Sequence, residues 1–408
     1  MAFLNRSIAS VYIAYALQTT AQAISWQYVT YFVKHELSSS SFLEQSLAFA
    51  CPAIVIMVMT NVWGSLSDRL KKRKVFMIIG FAGYAVTFLF YAFVADIFQY
   101  LIVAAVGATF SSAALPMGQA HLTTNATNKG ERLGYFVAAQ SAGWFCGSFI
   151  SGALYDYVGM RVLFIVAAVL ALAAILSSAA LIHDIAFNEV DKSIKRGYRD
   201  LLRREGMGWL TAAVTFSQIG MSAVSAFIAI MIVDELGGST AYVGYANAAT
   251  SLMGVLITGQ VGKFVDKGGP FKALILAYSS YVAFAFLFGV VKDPVMAAVL
   301  WALPIYPLSA TATTALAAHI SGEDERGRAM SLVYGAQNAG GWIGPLIGGL
   351  FAEYVFLSVQ PISFLNMALN VIALLLAVLL LVMQRSRRRR EPVSEFEPQT
   401  SAGPPVPG

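Results

Sequence analysis

The sequence predicts an all-α membrane protein in which twelve membrane-spanning helices form two similar six-helix halves. Of the 408 residues, 58% are hydrophobic and only 12% are charged, which is about half the charged fraction of a typical soluble domain. Two loops about half the chain apart share one sequence pattern, and the positive residues fall almost entirely on one predicted side of the membrane. A chain with so little charge needs lipid as its solvent, because it cannot cover itself with a water-facing surface.

The duplication is clearest in two stretches, 64–74 and 262–272, which read GSLSDRLKKRK and GKFVDKGGPFK. Their alignment pairs Asp68 with Asp266 at an offset of 198 residues. Further pairs repeat at an offset of 197 or 198: His121 with His319, Gln140 with Gln337, Gly143 with Gly340, Gly147 with Gly344, and Gly152 with Gly349. A duplicated membrane bundle predicts two rigid bodies around one central pathway.

A membrane span needs about 20 mostly apolar residues. The predicted spans are 7–33, 42–66, 75–95, 97–122, 133–154, 160–182, 208–234, 241–265, 272–291, 294–319, 328–350 and 361–384. These spans define an N-terminal six-helix bundle (1–182) and a C-terminal six-helix bundle (208–384). The charged, amphipathic segment 183–207 is predicted to link them along the cytoplasmic membrane surface. The end of the chain, 385–408, is predicted to be a basic and then disordered cytoplasmic tail.

The positive residues predict the orientation. Only three of the 27 Lys and Arg residues, Lys34, Arg161 and Lys292, fall in loops on the second side. Cytoplasmic loops are the ones that collect Lys and Arg, so both termini are predicted to be cytoplasmic and the protein to be multi-pass in the cell membrane. The net charge of +5 therefore reflects membrane sidedness and does not indicate nucleic-acid binding.

The predicted spans contain almost no ionisable residue. Apart from Asp234 at the boundary of the seventh span, Glu44, near one end of the second span, is the only acidic residue that falls within one. Charges at mid-membrane are costly and usually functional, so their absence favours a neutral, zwitterionic or amphiphilic solute. Cys51 and Cys146 lie in apolar segments and indicate neither a disulfide framework nor a metal site. The sequence predicts no cofactor and no catalytic site.

Polar side chains follow single faces of several predicted helices. Unpaired amides facing lipid are costly, so these faces should point into the bundle, either toward a ligand or toward neighbouring helices. The prolines on either side of Tyr306 can kink its helix and make it a gate. The candidate substrate-binding residues are Tyr15, Gln18, Gln22, Trp26, Gln140, Gln218, Ser222, Tyr306, Gln337 and Asn338.

The two copies of the Gly-x-x-x-Asp-Arg/Lys loop, with the two-bundle layout, resemble the signature of the major facilitator superfamily, and this resemblance covers residues 7–384. Lys71 departs from the family pattern, which usually has Gly there. The resemblance implies helices 1, 4, 7 and 10 around a central cavity. It also implies that Asp68 and Asp266 latch against the starts of helices 11 and 5, an arrangement favoured by the helix dipole. The residues implied in gating are Gly64, Asp68, Arg69, Glu131, Arg132, Gly262, Asp266, Lys267, Glu325 and Arg326.

A glycine-rich row in helix 11, 340–349, looks like the glycine-proline motif of drug and metabolite exporters in this superfamily. The corresponding row in helix 5 has Ser148 and Ser151 instead of Pro and Gly, so the exporter signature is degraded there. Small residues four apart let helices approach closely, either as static packing or as a sliding contact between the halves. The residues assigned to packing are Gly143, Gly147, Gly340, Gly344, Pro345 and Gly348.

Together these features predict a monomeric secondary transporter that works by alternating access on a small-molecule substrate in the lipid bilayer. The first expectation is export of a drug-like compound or metabolite, with protons as a candidate coupling ion. The alternatives are uptake or facilitated diffusion of a neutral nutrient such as a sugar, and a membrane sensor on the same fold that binds a ligand without moving it.

Overall fold

A computed structural model describes residues 2–184, 198–204, 206–321 and 325–390, and the regular structure of this part of the chain is entirely helical. Most of the predicted linker 183–207 and the tail beyond residue 390 lie outside the described residues. We use the names N-terminal half for residues 1–182 and C-terminal half for residues 208–384.

The N-terminal half begins with α1 and α2, which together cover the first predicted span. Its helices are α1 (Ala2–Trp26), α2 (Val29–His35), α3 (Phe42–Leu70), α4 (Lys74–Tyr91), α5 (Ile97–Ser111), α6 (Ala114–Thr123) and α7 (Lys129–Leu181). The long α7 contains two helices that meet at Gly159, whose φ of +74° is open to glycine and unfavourable for other residues. This break separates the predicted spans 133–154 and 160–182.

The C-terminal half follows a short helix, α8 (Tyr198–Leu202). Its own helices are α9 (Met207–Ala226), α10 (Thr240–Gly268), α11 (Pro270–Val290), α12 (Pro294–Trp301), α13 (Tyr306–Ile320), α14 (Arg326–Phe351) and α15 (Ile362–Arg390). Short π-helical turns extend α9 over Ile230–Glu235 and α14 over Ala352–Phe356. The predicted spans 97–122 and 294–319 coincide with the membrane-length apolar stretches Ile97–Thr123 and Pro294–Ile320. A short non-helical turn divides each of them, and another divides the first predicted span, 7–33.

Eight stretches of the described chain are helical, long and apolar enough to cross a membrane. The three predicted spans outside that set correspond to α1 with α2, α9 and α14. These helices carry the polar faces and glycine rows noted above, which lower their mean hydropathy. The count of twelve spans therefore stays a prediction.

Matching N-caps begin corresponding helices in the two halves. Ser41 and Ser239 accept hydrogen bonds from the first turns of α3 and α10, at 3.3 and 3.1 Å. Asp96 and Asp293 do the same for α5 and α12, at 2.8 and 2.7 Å. A side-chain cap satisfies a backbone N–H that the helix leaves unpaired. The duplication noted in the loops thus extends to local helix chemistry.

The buried core shows how the halves meet. One hydrophobic cluster contains residues of both halves, including Phe32, Phe49, Phe227 and Phe288. Two further clusters each lie within a single half, around Leu274 in one and around the N-terminal half's α1–α4 contact in the other. The shared core lies near segments 36–41, 236–239 and 357–361, which we call the closed end. The separate cores lie near turns 71–73 and 124–128 and near residues 203–204, which we call the open end.

The glycine rows of α7 and α14 pack inside their own halves. A methyl group added to Gly143 or Gly147 would overlap with α1, and one added to Gly340 would lie 2.7 Å from Cβ of Gln218. Between the halves, the close contacts fall on the next glycines in each row. Gly152 meets Gly244, and Gly349 meets Ser46. In α14 the packing residues Gly344, Pro345 and Gly348 are buried in the same way.

Candidate functional site

A cavity of about 340 Å³ lies inside the C-terminal half and opens toward α1. Its walls come from α9, α10, α11, α12, α13 and α14, with Trp26 and Phe49 added by the N-terminal half. The chemistry of the walls is aromatic, hydroxyl and amide. Among the described residues that line it, none carries a charge at neutral pH. The polar and aromatic lining residues include Trp26, Ser217, Gln218, Ser222, Ser225, Asn247, Thr250, Tyr278, Tyr281, Trp301, Tyr306, Ser309, Thr313 and Gln337.

Half of the candidate binding residues lie on this cavity: Trp26, Gln218, Ser222, Tyr306 and Gln337. Ser222 donates to the carbonyl of Gly340 at 2.8 Å, so its hydroxyl also ties α9 to α14. Trp26 packs against Phe49, with ring centroids 4.4 Å apart. Side chains that line the cavity therefore also hold neighbouring helices together.

Two other candidates on α1 lie beside the cavity. Gln22 lines a smaller pocket of about 70 Å³ inside the N-terminal half, on the other side of Trp26. Gln18 is buried and donates to Oε1 of Gln22 at 3.1 Å. This bond, made one turn earlier on α1, fixes the orientation of the Gln22 amide.

Tyr15 does not line either pocket. Its side chain is completely buried, its hydroxyl donates to the carbonyl of Ala114, and its ring packs edge-on against Phe81 and Phe136. The structure places the Tyr15 ring in the core that α1 shares with α4 and α6, away from both pockets, and a role of Tyr15 in binding stays a prediction. Tyr15 holds those helices together.

Gln140 and Asn338 also fall outside the cavity wall. The carbonyl of Gln140 accepts a hydrogen bond from Thr19 at 3.2 Å, and this residue is half-buried against α1. Asn338 is exposed on α14, next to the lining residue Gln337. A helix advances about 100° per residue, so neighbours in sequence cannot share a narrow face.

Sequence reasoning missed the polar contribution of α10. Asn247 accepts a hydrogen bond from the indole N–H of Trp301 at 3.2 Å. Thr250 donates to the backbone carbonyl of Trp301 at 3.1 Å. The signal was present, because Asn247 and Thr250 are polar residues one turn apart in an apolar span.

The carbonyl of Trp301 is available because the tenth predicted span is interrupted. Residues 302–305 separate α12 from α13, and Pro304 in this segment has no N–H to donate. Non-helical backbone at membrane depth is tolerated where protein buries it or where it lines a cavity. Here Leu303, Ile305 and Tyr306 all line the cavity. Interrupted helices of this kind often mark the substrate site of transporters.

The closed end is fastened by bonds between the halves. Lys34 lies 2.5 Å from Asp234, and the His35 ring lies 3.0 Å from the same carboxylate. Thr30 donates to the carbonyl of Ala226 at 2.5 Å, and Tyr28 donates to that of Thr240 at 2.8 Å. These contacts cover the cavity on that side.

Two acids add a symmetric pair of bonds at the closed end. Asp156 accepts hydrogen bonds from Ser239 and Thr240 at the start of α10, at 2.8 and 2.6 Å. Glu353 accepts one from the backbone N–H of Phe42 at the start of α3, at 2.5 Å. The two acids are 197 residues apart and belong to different halves. Each therefore joins the end of one half to a helix start in the other.

At the open end the halves stand apart. A methyl group added at Gly64, Gly134, Gly262 or Gly335 would meet no other atom within 4 Å. Asp68 pairs with Arg73 of its own turn at 2.9 Å. Asp68 is therefore paired within its own half in this conformation.

The other residues implied in gating have local partners or are exposed at this end. Glu325 pairs with Arg204 and Arg328, at 2.5 and 2.7 Å. Glu131 and Arg132 both bond to Asn128, at 2.7 and 3.0 Å. The exposed members of the set are Arg69, Asp266, Lys267 and Arg326. The latch between the halves stays a prediction for a conformation in which this end closes.

Comparison with known proteins gives the family. The sequence matches the family model of the Major Facilitator Superfamily over residues 11–309 and 305–406. An uncharacterized MFS-type transporter of Methanocaldococcus jannaschii, MJ1560, is 27% identical over 324 residues, which cover 76% of this chain and 82% of that protein. The multidrug resistance protein MdtG of Proteus mirabilis is 26% identical over 352 residues, covering 79% and 83%.

Solved structures share the fold at low sequence identity. A bacterial homolog of the human lysosomal transporter Spinster, in an inward-facing and occupied conformation, superimposes with a TM-score of 0.74 at 13% identity, covering 94% of this chain and 97% of that one. The nucleoside transporter NupG gives a TM-score of 0.72, covering 93% and 99%.

Proposed function

The chain belongs to the Major Facilitator Superfamily and is a multi-pass cell-membrane transporter, not an enzyme, and from this premise we propose that it moves a small uncharged or amphiphilic organic compound by alternating access. The site of binding is the cavity between Trp26 and Gln337. The observation that carries the proposal is the composition of its wall, where amides, hydroxyls and aromatic rings converge without a charge. Such a wall can orient a ligand by hydrogen bonds and bury its apolar body, but it offers no counter-ion.

We assign the conformation as open to the cytoplasm. The positive-inside pattern places the open end, with its many Lys and Arg residues, in the cytoplasm. The ion pair of Lys34 with Asp234 and the acids Asp156 and Glu353 then close the outer side. In the outward-open state these bonds would break and Asp68 and Asp266 would engage helix starts at the inner side. Each contact of this kind is weak, about 0.3–1 kcal/mol, so ligand binding can shift the balance.

We also propose that all twelve predicted spans cross the membrane. The helices α1, α9 and α14 are less apolar than the others because they turn amides, hydroxyls and glycines inward. In a bundle with an internal cavity this composition is expected for the helices closest to the pathway.

Export is the direction we favour. Relatives named multidrug resistance proteins align with more than three-quarters of the chain. The glycine-proline row of α14 supports the same choice, although its counterpart in α7 lacks the proline. Proton coupling is a separate proposal, for which His121 and His319 are the candidates within the described helices.

Counterflow with the purified full-length protein tests the proposal. The protein is placed in vesicles of phosphatidylethanolamine and phosphatidylglycerol loaded with unlabelled chloramphenicol, an uncharged amphiphilic drug. External radiolabelled chloramphenicol should accumulate transiently in these vesicles and not in protein-free ones. A thermal-shift screen of other uncharged drugs and metabolites extends the test to the whole class.

The outcomes separate the alternatives. Exchange of glucose but of no drug-like compound would favour the nutrient carrier. Ligand binding in the thermal-shift screen, with no exchange of any bound compound, would overturn transport in favour of a sensor. Exchange that ignores an imposed pH gradient would remove protons as the coupling ion.

A further inference from the structure

A second opening of the C-terminal half lies on its outer face, away from the central cavity. It is a groove of about 660 Å³ between α10, α11 and the interrupted segment 302–305. Its walls include Phe264, Leu276 and Leu287, each of which is close to half exposed. Apolar side chains exposed on the outside of a membrane bundle face lipid. The groove is therefore filled from the bilayer.

The groove and the cavity share a wall. Phe284, Leu303 and Ile305 line both of them. The barrier between lipid and cavity is thus one layer of side chains, carried partly by the segment that interrupts the helix. Backbone bonds from Leu303 to Leu300 and from Ile305 to Leu303 hold this turn, at 3.2 and 2.9 Å, and Pro304 between them has no N–H to add. The turn lacks the continuous hydrogen-bond ladder of a helix, so small rotations in it can open the wall.

The N-terminal half supplies an internal comparison. It has a groove of about 420 Å³ between α4 and α5, and this groove shares Thr87 and Gly107 with the small pocket beside Gln22. A methyl group on Gly107 would overlap with the side chain of Thr87, so this wall is tightly closed. At an offset of 197 residues, Gly107 corresponds to Pro304 and Thr87 to Phe284. The same position is thus sealed by an unbroken helix in one half and interrupted in the other.

One polar side chain in the groove suggests what enters it. Gln260 is exposed there, whereas the hydroxyl of Ser280 is satisfied by the carbonyl of Leu276 at 2.8 Å. An amide exposed to lipid is costly unless it finds a partner. A molecule with an apolar tail and an uncharged hydroxyl or carbonyl head matches both features of the groove.

We propose that this groove is a lateral entrance through which an uncharged, single-tailed amphiphile passes from the bilayer into the cavity, with Leu303 and Ile305 as its movable wall. The inference rests on the proposed function and narrows it, since it names the substrate class and its route. Entry from lipid concentrates a membrane-soluble compound at the site before it reaches water.

Photolabelling tests the route without relying on transport. A long-chain alcohol that carries a diazirine is added to vesicles containing the full-length protein, and adducts are located by peptide mass spectrometry. In the unmodified protein, adducts should form on the groove around Leu276 and on the cavity around Trp301. Ala283→Trp fills the groove from an exposed position that does not line the cavity, and it should lower the cavity adducts about tenfold.

The matched control is Val86→Trp, at the corresponding exposed position of the N-terminal groove. It should leave the cavity adducts unchanged. Leu276→Trp serves as a second blocking variant if Ala283→Trp folds poorly, as judged by size-exclusion chromatography. Equal cavity labelling in all variants would overturn the entrance, because the probe would then enter from the open end. Adducts confined to the groove of the unmodified protein would overturn it as well.

Failure of this proposal can be told apart from failure of the proposed function. If chloramphenicol exchanges in counterflow but blocking the groove does not change cavity labelling, transport stands and the lateral route is wrong. If cavity labelling depends on the groove but no compound exchanges, the route stands and the protein binds its amphiphile without moving it.

Discussion

The two halves of this chain follow one plan, but the interior pockets described in them differ in size. In the N-terminal half, aromatic rings fill the space between the helices, as where Tyr91 stacks on Tyr100 at 4.4 Å. The pocket beside Gln22 measures about 70 Å³, against about 340 Å³ for the cavity of the C-terminal half. The interior of one half is thus packed more closely than that of the other.

The difference can be followed at positions related by the repeat. In α3 the N-terminal half has Phe49 and Pro52, where α10 has Asn247 and Thr250, 198 residues later. Phe49 packs against Trp26, whereas Asn247 and Thr250 bond to Trp301. An apolar pair in one half is thus replaced by a polar pair in the other. The exchange replaces an aromatic contact by hydrogen bonds, although Phe49 and Asn247 both line the larger cavity.

The helices opposite show the same divergence. Buried Tyr100 of α5 corresponds to buried Ala297 of α12, which removes a large ring from the C-terminal half. Gly107 corresponds to Pro304, which replaces close helix packing by an interruption. Both changes create space next to the cavity. The comparison predicts that a residue of the N-terminal half, placed at the corresponding position of the C-terminal half, will fill the cavity.

Asn247→Phe makes that exchange directly and should have the largest effect. The ring would occupy the cavity and leave the indole N–H of Trp301 without its acceptor. We expect ligand affinity to fall about 100-fold, the scale of loss when a pocket excludes its ligand. Isothermal titration with any compound found in the thermal-shift screen measures it. Met253→Phe, exposed on the same helix, is the control and should bind normally; unchanged affinity in Asn247→Phe would move the site elsewhere.

Gly107→Ala tests the packed half. A Cβ at this position would overlap with the side chain of Thr87, and overpacking of a closed interface typically costs about 1–3 kcal/mol. The apparent melting temperature of the purified protein should therefore fall. Gly259→Ala, where an added methyl group meets no atom within 4 Å, should leave it unchanged or raise it slightly, since Ala favours helix. A Gly107→Ala protein as stable as the parent would mean that the N-terminal groove is not sealed as described.

The repeat made much of the architecture predictable. The small-residue rows and the apolar spans are local patterns, and the helices fall close to where those patterns place them. The repeated motifs were expected in loops, but α3 and α10 continue through Gly64 and Gly262 and end at Leu70 and Gly268. Helix interruptions were harder to predict. Pro304 and Pro307 predict the interruption between α12 and α13. The turn at Ser112 and Ala113, between α5 and α6, contains no proline, so its position depends on tertiary contacts.

The site was predictable only in part. A polar face indicates which residues point into the bundle, but it does not distinguish residues that line a cavity from residues that contact a neighbouring helix. Trp26 and Gln218 line the cavity. Tyr15 lies on the same predicted face of α1 as Trp26, but its side chain packs in the core. Asn247 and Thr250 form a short polar pair in an apolar span, and such a pair can as well bond to a neighbouring helix as face a cavity. Deciding among such residues requires the positions of neighbouring helices, which the sequence of one helix does not contain.

A smaller effect should separate two glutamines that the sequence treats alike. Gln218 lines the main cavity, and Gln22 lines the small pocket of the N-terminal half. Loss of one hydrogen bond typically costs about 0.5–1.5 kcal/mol, so Gln218→Ala should weaken ligand binding about two- to tenfold. Gln22→Ala should change it less than about twofold by the same measure. Equal losses in both would show that the ligand spans the two halves.

The smallest effects concern the balance between the two ends of the molecule. Asp156 bonds to the start of α10 at the closed end, whereas Asp68 at the open end pairs with Arg73 and is predicted to engage α14 only when that end closes. Neutralising Asp156 should therefore favour closure of the open end, and neutralising Asp68 should favour the conformation described here. Each shift should be about 0.3–1 kcal/mol.

Spin labels at exposed Lys129 and Lys267, in a variant without Cys51 and Cys146, report the width of the open end by pulsed electron resonance. Asp156→Asn should increase the population of short distances, and Asp68→Asn should decrease it. Asp96→Asn is the control, because Asp96 caps α5 within its own half and should leave the distribution unchanged. Shifts of the same sign in both variants would contradict the assignment of the two acids to opposite conformations, since a general loss of stability would then explain both.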